Sequence, residues 1–176
     1  AVWAKVPTDL PEFEEAEKAV NAEIDRLLNI KGKRSVDSIH KELGHIMWEY
    51  VGMGRTAEGL KEGLKKMHEL EKEFDTNLFV PGKKEGLNVE LDKAIHLRDF
   101  FTMGELVAFD ALSRNESCGG HFREEYQTEE GEAKRDDENY FYVGCWEYKG
   151  KGNEPELIKE PLEYEAIKVQ TRNYKN

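Results

Sequence analysis

The residues best equipped for chemistry crowd into one stretch, Arg114-Asn115-Glu116-Ser117-Cys118-Gly119-Gly120-His121-Phe122-Arg123-Glu124-Glu125. It brings cations, carboxylates, a thiol and an imidazole together beside two glycines. Cys118 and His121 are the types that make a thiolate nucleophile and its base. Covalent catalysis also needs a third group to orient the base, and spacing identifies none here. The same residues can instead tie an ion-pair knot, with glycines that permit close backbone approach. On residue chemistry the knot is the favoured expectation. A second polar run, Lys134-Arg135-Asp136-Asp137-Glu138-Asn139, comes next and suits a turn, because Asp and Asn cap and turn readily.

Other signals carry less. Gly52-Met53-Gly54-Arg55-Thr56-Ala57 fits the pattern G-x-G-x-x-A. A dinucleotide cradle needs a strand before those glycines and a helix after them. Here a helical pattern precedes, so the glycines are expected to end a helix in the left-handed conformation common at helix C-termini. The histidines His40, His45, His68, His96 and His121 contain no pair at i, i+4 spacing. His40 and His45 lie about 140° apart around a helix. No metal site is expected; His68 is assigned to the solvated boundary and His96 to the core. Cys118 and Cys145 match no zinc spacing and are expected to be free thiols in a reducing compartment.

The elements that must position these groups can be read from periodicity. Pro11 opens a helix with apolar residues at Phe13, Ala16, Val20, Ile24 and Leu27, and Lys31 to Arg34 break it. Ser35 caps a second helix with Ile39, Leu43, Ile46 and Tyr50 on one face. Thr56 caps a third with Leu60, Leu64, Met67 and Phe74. After a turn-rich loop at residues 80–86, Asn88 caps the longest helix, running to about Arg114. Its bulk is assigned to Leu91, Ile95, Phe101, Leu106, Phe109 and Leu112, with Gly104, Ala108 and Ala111 allowing a neighbour to approach. Short connections imply antiparallel packing. Residues 140–148 and 157–174, rich in aromatic and β-branched side chains, read as a β-hairpin.

The expected fold is therefore mainly α: an antiparallel bundle of about four helices followed by a C-terminal β-hairpin, all one domain. It divides into an N-terminal helix and linker (1–34), a bundle core (35–116), a polar Gly/acidic loop (117–139) and the hairpin tail (140–176). Both faces of the first strand are largely apolar and the helices can cover only one, so an exposed apolar patch is expected. In the 176-residue chain, hydrophobic residues are 38% and charged residues 36%, so a charged surface wraps a modest core. The net charge of −11 excludes a phosphate-binding face, and with it nucleic-acid partners. No apolar run approaches the length that spans a bilayer, so no direct membrane insertion is expected.

Taken together, Arg114, Glu116, Ser117, Gly119, His121 and Arg123, followed by Arg135, Asp136, Asp137 and Asn139, resemble one family. The flavoprotein subunits of succinate dehydrogenase and fumarate reductase carry R-x-E-S-R-G-x-H-x-R after a long helix, then R-D-D-x-N. Val51, Gly52 and Arg55 fall at the matching points of that family's helix–turn–helix, and residues 162–169 resemble its last strand. The agreement runs from about residue 36 to 170. Cys118 stands where the common pattern has Arg, and Val143 where many members have His. The first helix matches nothing in the pattern.

The resemblance implies a C-terminal structural domain of a subunit that interconverts succinate and fumarate. FAD belongs to the parent subunit and none is expected in this chain. The implied partners are the subunit's own N-terminal FAD domain and an iron–sulfur subunit. The implied location is cytoplasmic, the parent complex being peripheral on the inner face of the membrane. No catalytic or cofactor-binding residue is carried over; the motif residues, Arg55 included, are assigned structural or interface roles, and the fragment alone is expected to be inactive. The competing expectations are an independent acidic helical module that binds a protein, and a small thiol enzyme using Cys118 and His121.

Overall fold

Helix boundaries obey the capping chemistry. In the computed structural model, which describes residues 5–150 and 152–170, α1 spans Pro11–Asn29, α2 Val36–Val51, α3 Ala57–Asn77 and α4 Val89–Ser113. Proline occupies the first position of α1, where its missing N–H costs nothing. The side chains of Ser35, Thr56 and Asn88 accept from the backbone N–H groups of Ser38, Gly59 and Leu91, satisfying one free donor at the start of each helix.

The helices α2, α3 and α4 pack on one another around a shared core. α2 contributes Ile39, Leu43 and Ile46, α3 contributes Leu60, Met67, Leu70 and Phe74, and α4 contributes Leu91, Leu97 and Phe101. Of the expected α2 and α3 stripes, Tyr50 and Leu64 are only half-buried. On α4 the buried face agrees with the expected one at Leu91, Phe101, Gly104, Ala108 and Ala111 and departs from it elsewhere. Ile95 is exposed and Leu106, Phe109 and Leu112 are half-buried, whereas Ala94, Leu97, Gly104, Ala108 and Ala111 lie inside. Small residues let the neighbouring helices come close: a Cβ on Gly104 would stand 3.1 Å from the Met47 sulfur and 3.4 Å from that of Met67. His96, expected in the core, is on the surface beside Asp92 and Asp99, because its position turns it away from Leu97 and Ala94.

The break between α1 and α2 is stitched to the end of α3. Gly32 N donates to Leu78 O at 3.0 Å, Lys33 N to Asn77 O at 2.9 Å, and Phe79 N to Arg34 O at 2.8 Å. After α4 the loop leads to a single helical turn, α5 (Asp137–Tyr140), capped by Asp136, and then to an antiparallel pair, β1 (Tyr142–Glu147) and β2 (Glu156–Pro161). Both strands are shorter than expected. Tyr140 is drawn into α5 by the Asp136 cap. β2 stops at Pro161, which has no N–H to continue the ladder. Residues 162–170 run on without strand pairing beyond one bond, Leu162 N to Phe141 O at 3.2 Å, and 171–174 lie outside the described residues.

One face of the hairpin sits on α4. Trp146 Nε1 donates to Asp110 Oδ1 at 2.7 Å and its ring meets Phe109 edge-on. The other face is open: Val143 and Ile158 are each 50% exposed, and Cys145, paired with Ile158, is exposed too. Among the described residues no helix is long and apolar enough to cross a membrane.

Candidate functional site

The stretch after α4 is built as a knot that terminates two helices and starts a third. Gly119, at φ +59°, allows a tight turn in which Cys118 N donates to His121 O at 2.8 Å and His121 N to Cys118 O at 3.0 Å. The turn folds His121 back onto the end of α4. There the ring Nε2 donates to the carbonyl of Arg114, the C-cap residue, at 2.9 Å. The ring's Nδ1 accepts from Arg55 Nη1 at 3.0 Å. A guanidinium can only donate, so the imidazole is neutral with its proton on Nε2. Both nitrogens are taken, and neither faces the Cys118 thiol as a base.

Arg123 is 2% exposed, and its guanidinium serves the same helix end. Nη1 donates to Ala111 O at 3.0 Å and Leu112 O at 3.3 Å, while Nε donates to Glu125 Oε2 at 3.1 Å. These carbonyls lack partners within the helix, and a cation is favoured at that pole of the helix dipole. Arg55 does the equivalent for α2, donating through Nε to Val51 O at 3.1 Å and Gly52 O at 3.0 Å. Glu125 supplies the opposite charge where it belongs, accepting from Ala57 N, at the start of α3, at 2.5 Å. Burial alone would raise the Glu125 carboxyl, but the Ala57 N–H and the Arg123 guanidinium outweigh it and hold it below the ordinary value.

Glu116, also 2% exposed, joins the knot to the α5 turn. Oε1 accepts from Arg114 Nε at 2.8 Å and Oε2 from the backbone N–H of Asp136 at 2.9 Å. Arg114 reaches on to Tyr140 O at 2.5 Å and lies over the rings of Tyr140 and Tyr142. Ser117 is buried, with its hydroxyl exchanging hydrogen bonds with the backbone of Arg123. Arg135 pairs with Asp137 at 2.9 Å, and Asp136 accepts from the Asn139 backbone and side chain. The structure thus brings Arg55, Arg114, Glu116, Ser117, His121 and Arg123 together, with Arg135, Asp136, Asp137 and Asn139 in the adjoining turn. Glu125 and Tyr140 were not singled out from sequence. Glu125 lay within the dense stretch, but its partner Ala57 is 68 positions away.

The Gly52–Gly54 turn corrects one expectation: neither glycine is left-handed. Gly52, at φ −63° and ψ −157°, is required by space, since a Cβ there would stand 2.5 Å from Trp48 O. These residues do not fit FAD. The glycines come after a helix, Gly52 facing that helix's own backbone and Gly54 the Glu124 carboxylate, and make no phosphate cradle between a strand and a helix. Among the described residues no group of three or more His, Cys, Asp or Glu side chains is placed to hold a metal ion, and both cysteines are free thiols.

The family described as fumarate reductase flavoprotein C-term matches residues 40–174. The fumarate reductase flavoprotein subunit of Proteus vulgaris is 26% identical over 163 residues, which is 93% of this chain and 25% of that protein. An L-aspartate oxidase of Nicotiana tabacum is 42% identical over 98 residues, 56% of this chain and 15% of that protein. A solved structure of Escherichia coli quinol fumarate reductase superposes with a TM-score of 0.76 at 24% identity, covering 94% of this chain and 27% of that one; at this identity the likeness shows the fold. The chain therefore spans between 15% and 25% of the length of these two curated relatives. With its match across most of its length, and its helix-terminating knot formed by the residues of the motif, the chain belongs to the fumarate reductase flavoprotein C-terminal family.

Proposed function

We propose that this chain is the C-terminal structural domain of a flavoprotein subunit that interconverts succinate and fumarate. FAD is carried by an N-terminal domain of the same polypeptide, and this domain packs against it. The exposed hairpin face, with Val143, Cys145 and Ile158, contributes to the surface that meets an iron–sulfur subunit. The parent complex lies on the inner, cytoplasmic face of a membrane. Residues 1–34, 35–116, 117–139 and 140–176 act as one unit, and Arg55, Arg114, Glu116, Ser117, Gly119, His121, Arg123, Arg135, Asp136, Asp137 and Asn139 have structural or interface roles.

The observation that supports this reading is the use of the knot's charges. Arg114, Glu116, His121 and Arg123 are all consumed in internal hydrogen bonds to helix ends and to one another, so they scaffold rather than face a substrate. The relatives named L-aspartate oxidase favour a second reading, in which the parent oxidises L-aspartate.

The native polypeptide that carries this sequence separates the two. Its mass, its flavin absorbance, and its reduction of a dye with succinate or with L-aspartate are measured. Flavin with succinate-dependent reduction is the expected result. Reduction by aspartate alone selects the second reading, and a short polypeptide without flavin overturns both.

A further inference from the structure

Only the carboxyl-terminal part of α1 is used by this fold. Its apolar stripe runs through Phe13, Ala16, Val20, Ile24 and Leu27, at steps of three and four. At the carboxyl end the stripe enters the core, with Leu27 buried and Ile24 packed against it. That end is also pinned by charge. Arg26 pairs with Glu23 at 2.8 Å and with Asp75 at 3.3 Å, and Arg98 pairs with Asp75 at 2.6 Å and with Glu23 at 3.2 Å.

The amino-terminal part, residues 11–22, is exposed throughout. Phe13 is 51% and Val20 60% exposed. At the α-helical rise the overhang is about 18 Å long. A stretch of that length is marginal as a helix in water, so it needs a surface to hold it. Glu12 and Glu17 border the stripe on its two sides.

We propose that this overhang is a docking face for the preceding, flavin-binding part of the same polypeptide. That part covers Phe13 and Val20 with apolar side chains and meets Glu12 and Glu17 with basic ones. The proposal rests on the reading of this chain as a C-terminal domain. In such a domain the remainder of the polypeptide enters at the amino end, where the overhang lies. The family match begins at residue 40, beyond α1, and the curated relatives are several times longer than the matched stretch. The exposed stripe continues the buried one, so its cover extends the existing core. A second copy of this chain is a poor cover, because two acid-rimmed stripes would set like charges against each other.

Amide hydrogen exchange on the 176-residue chain and on the native flavoprotein tests this, with mass and flavin absorbance recorded for the latter. The expected result is exchange at residues 12–22 slowed by about 100-fold or more in the native protein. Phe13→Glu and Val20→Glu should lower the melting temperature of the native protein and leave that of the 176-residue chain unchanged. Equal exchange in both, with flavin present, overturns the docking face alone. A native polypeptide without flavin overturns the underlying reading as well. Protection that rises with concentration in the 176-residue chain replaces the proposed occupant with a second copy.

Discussion

Arg55 Nη1 lies 3.0 Å from His121 Nδ1, and the far side of the same imidazole donates to the carbonyl of Arg114 at 2.9 Å. One neutral ring thus joins the α2–α3 turn to the C-cap carbonyl of α4. A second proton on the ring would point an N–H at a guanidinium and break the link. Burial draws His121 below its ordinary value. Nearby Arg55, Arg123 and Arg114 push the same way, against the hydrogen bond to the Arg114 carbonyl.

The folded state therefore binds fewer protons than the unfolded state between the lowered value and about 6.5. In that window stability falls as pH falls. The melting temperature should drop from pH 7 toward pH 5, and the drop should flatten in His121→Asn. Identical pH profiles for the two proteins would remove His121 from this role.

Glu116→Ala should cost about 3 kcal/mol, the lower end for a broken buried pair, because Arg114 retains some solvent contact. The substitution also strands the Asp136 N–H. Arg114→Ala combined with Glu116→Ala should cost less than the sum of the two single changes. Urea unfolding measures all three, and strictly additive losses would mean that the pair is not coupled.

Two glycines should respond in opposite directions. A Cβ on Gly32 would stand 1.9 Å from the backbone carbon and oxygen of Asn77, so Gly32→Ala should cost at least about 2 kcal/mol. Gly44, inside α2, has no neighbour within 4 Å of such an atom, so Gly44→Ala should add about 0.5–1 kcal/mol. Urea midpoints that move the other way at either position contradict the packing described.

Purified alone, the 176-residue chain should bind no FAD and oxidise no succinate, since its glycines form no phosphate cradle. A yellow preparation that retains flavin through gel filtration would refute this.

Legibility from sequence tracked the range of the interaction. The caps at Ser35, Thr56 and Asn88 were readable because each side chain bonds a backbone group three residues on. The stripes of α2 and α3 were readable because one face of each is polar. α4 was readable only in part because its apolar residues go all round: bulk pointed to Ile95, which is exposed, while Gly104, Ala108 and Ala111 lie inside as their small size suggests. The dense stretch at 114–125 announced a knot, and the family motif pointed to the residues that form it. Its longest-range partnerships, Arg55 with His121 and Ala57 with Glu125, cross 66 and 68 positions that no local pattern encodes.

The backbone of Arg55 is also splinted to the far stretch, with Arg55 N donating to Phe122 O at 3.1 Å and Glu124 N to Arg55 O at 2.8 Å. Such long loops are closed only after the intervening helices have paid their own ordering entropy, so these bonds belong on the native side of the folding barrier. Arg123→Ala should then speed unfolding tenfold for each ~1.4 kcal/mol lost and barely change the folding rate. Stopped-flow mixing across urea reads both limbs, and a slowed folding limb would place the splint in the nucleus. During synthesis the helices can gather before residue 125 has been made, but their ends stay frayed until then. The motif is in this sense a clasp, and its closure marks the moment when assembly is complete.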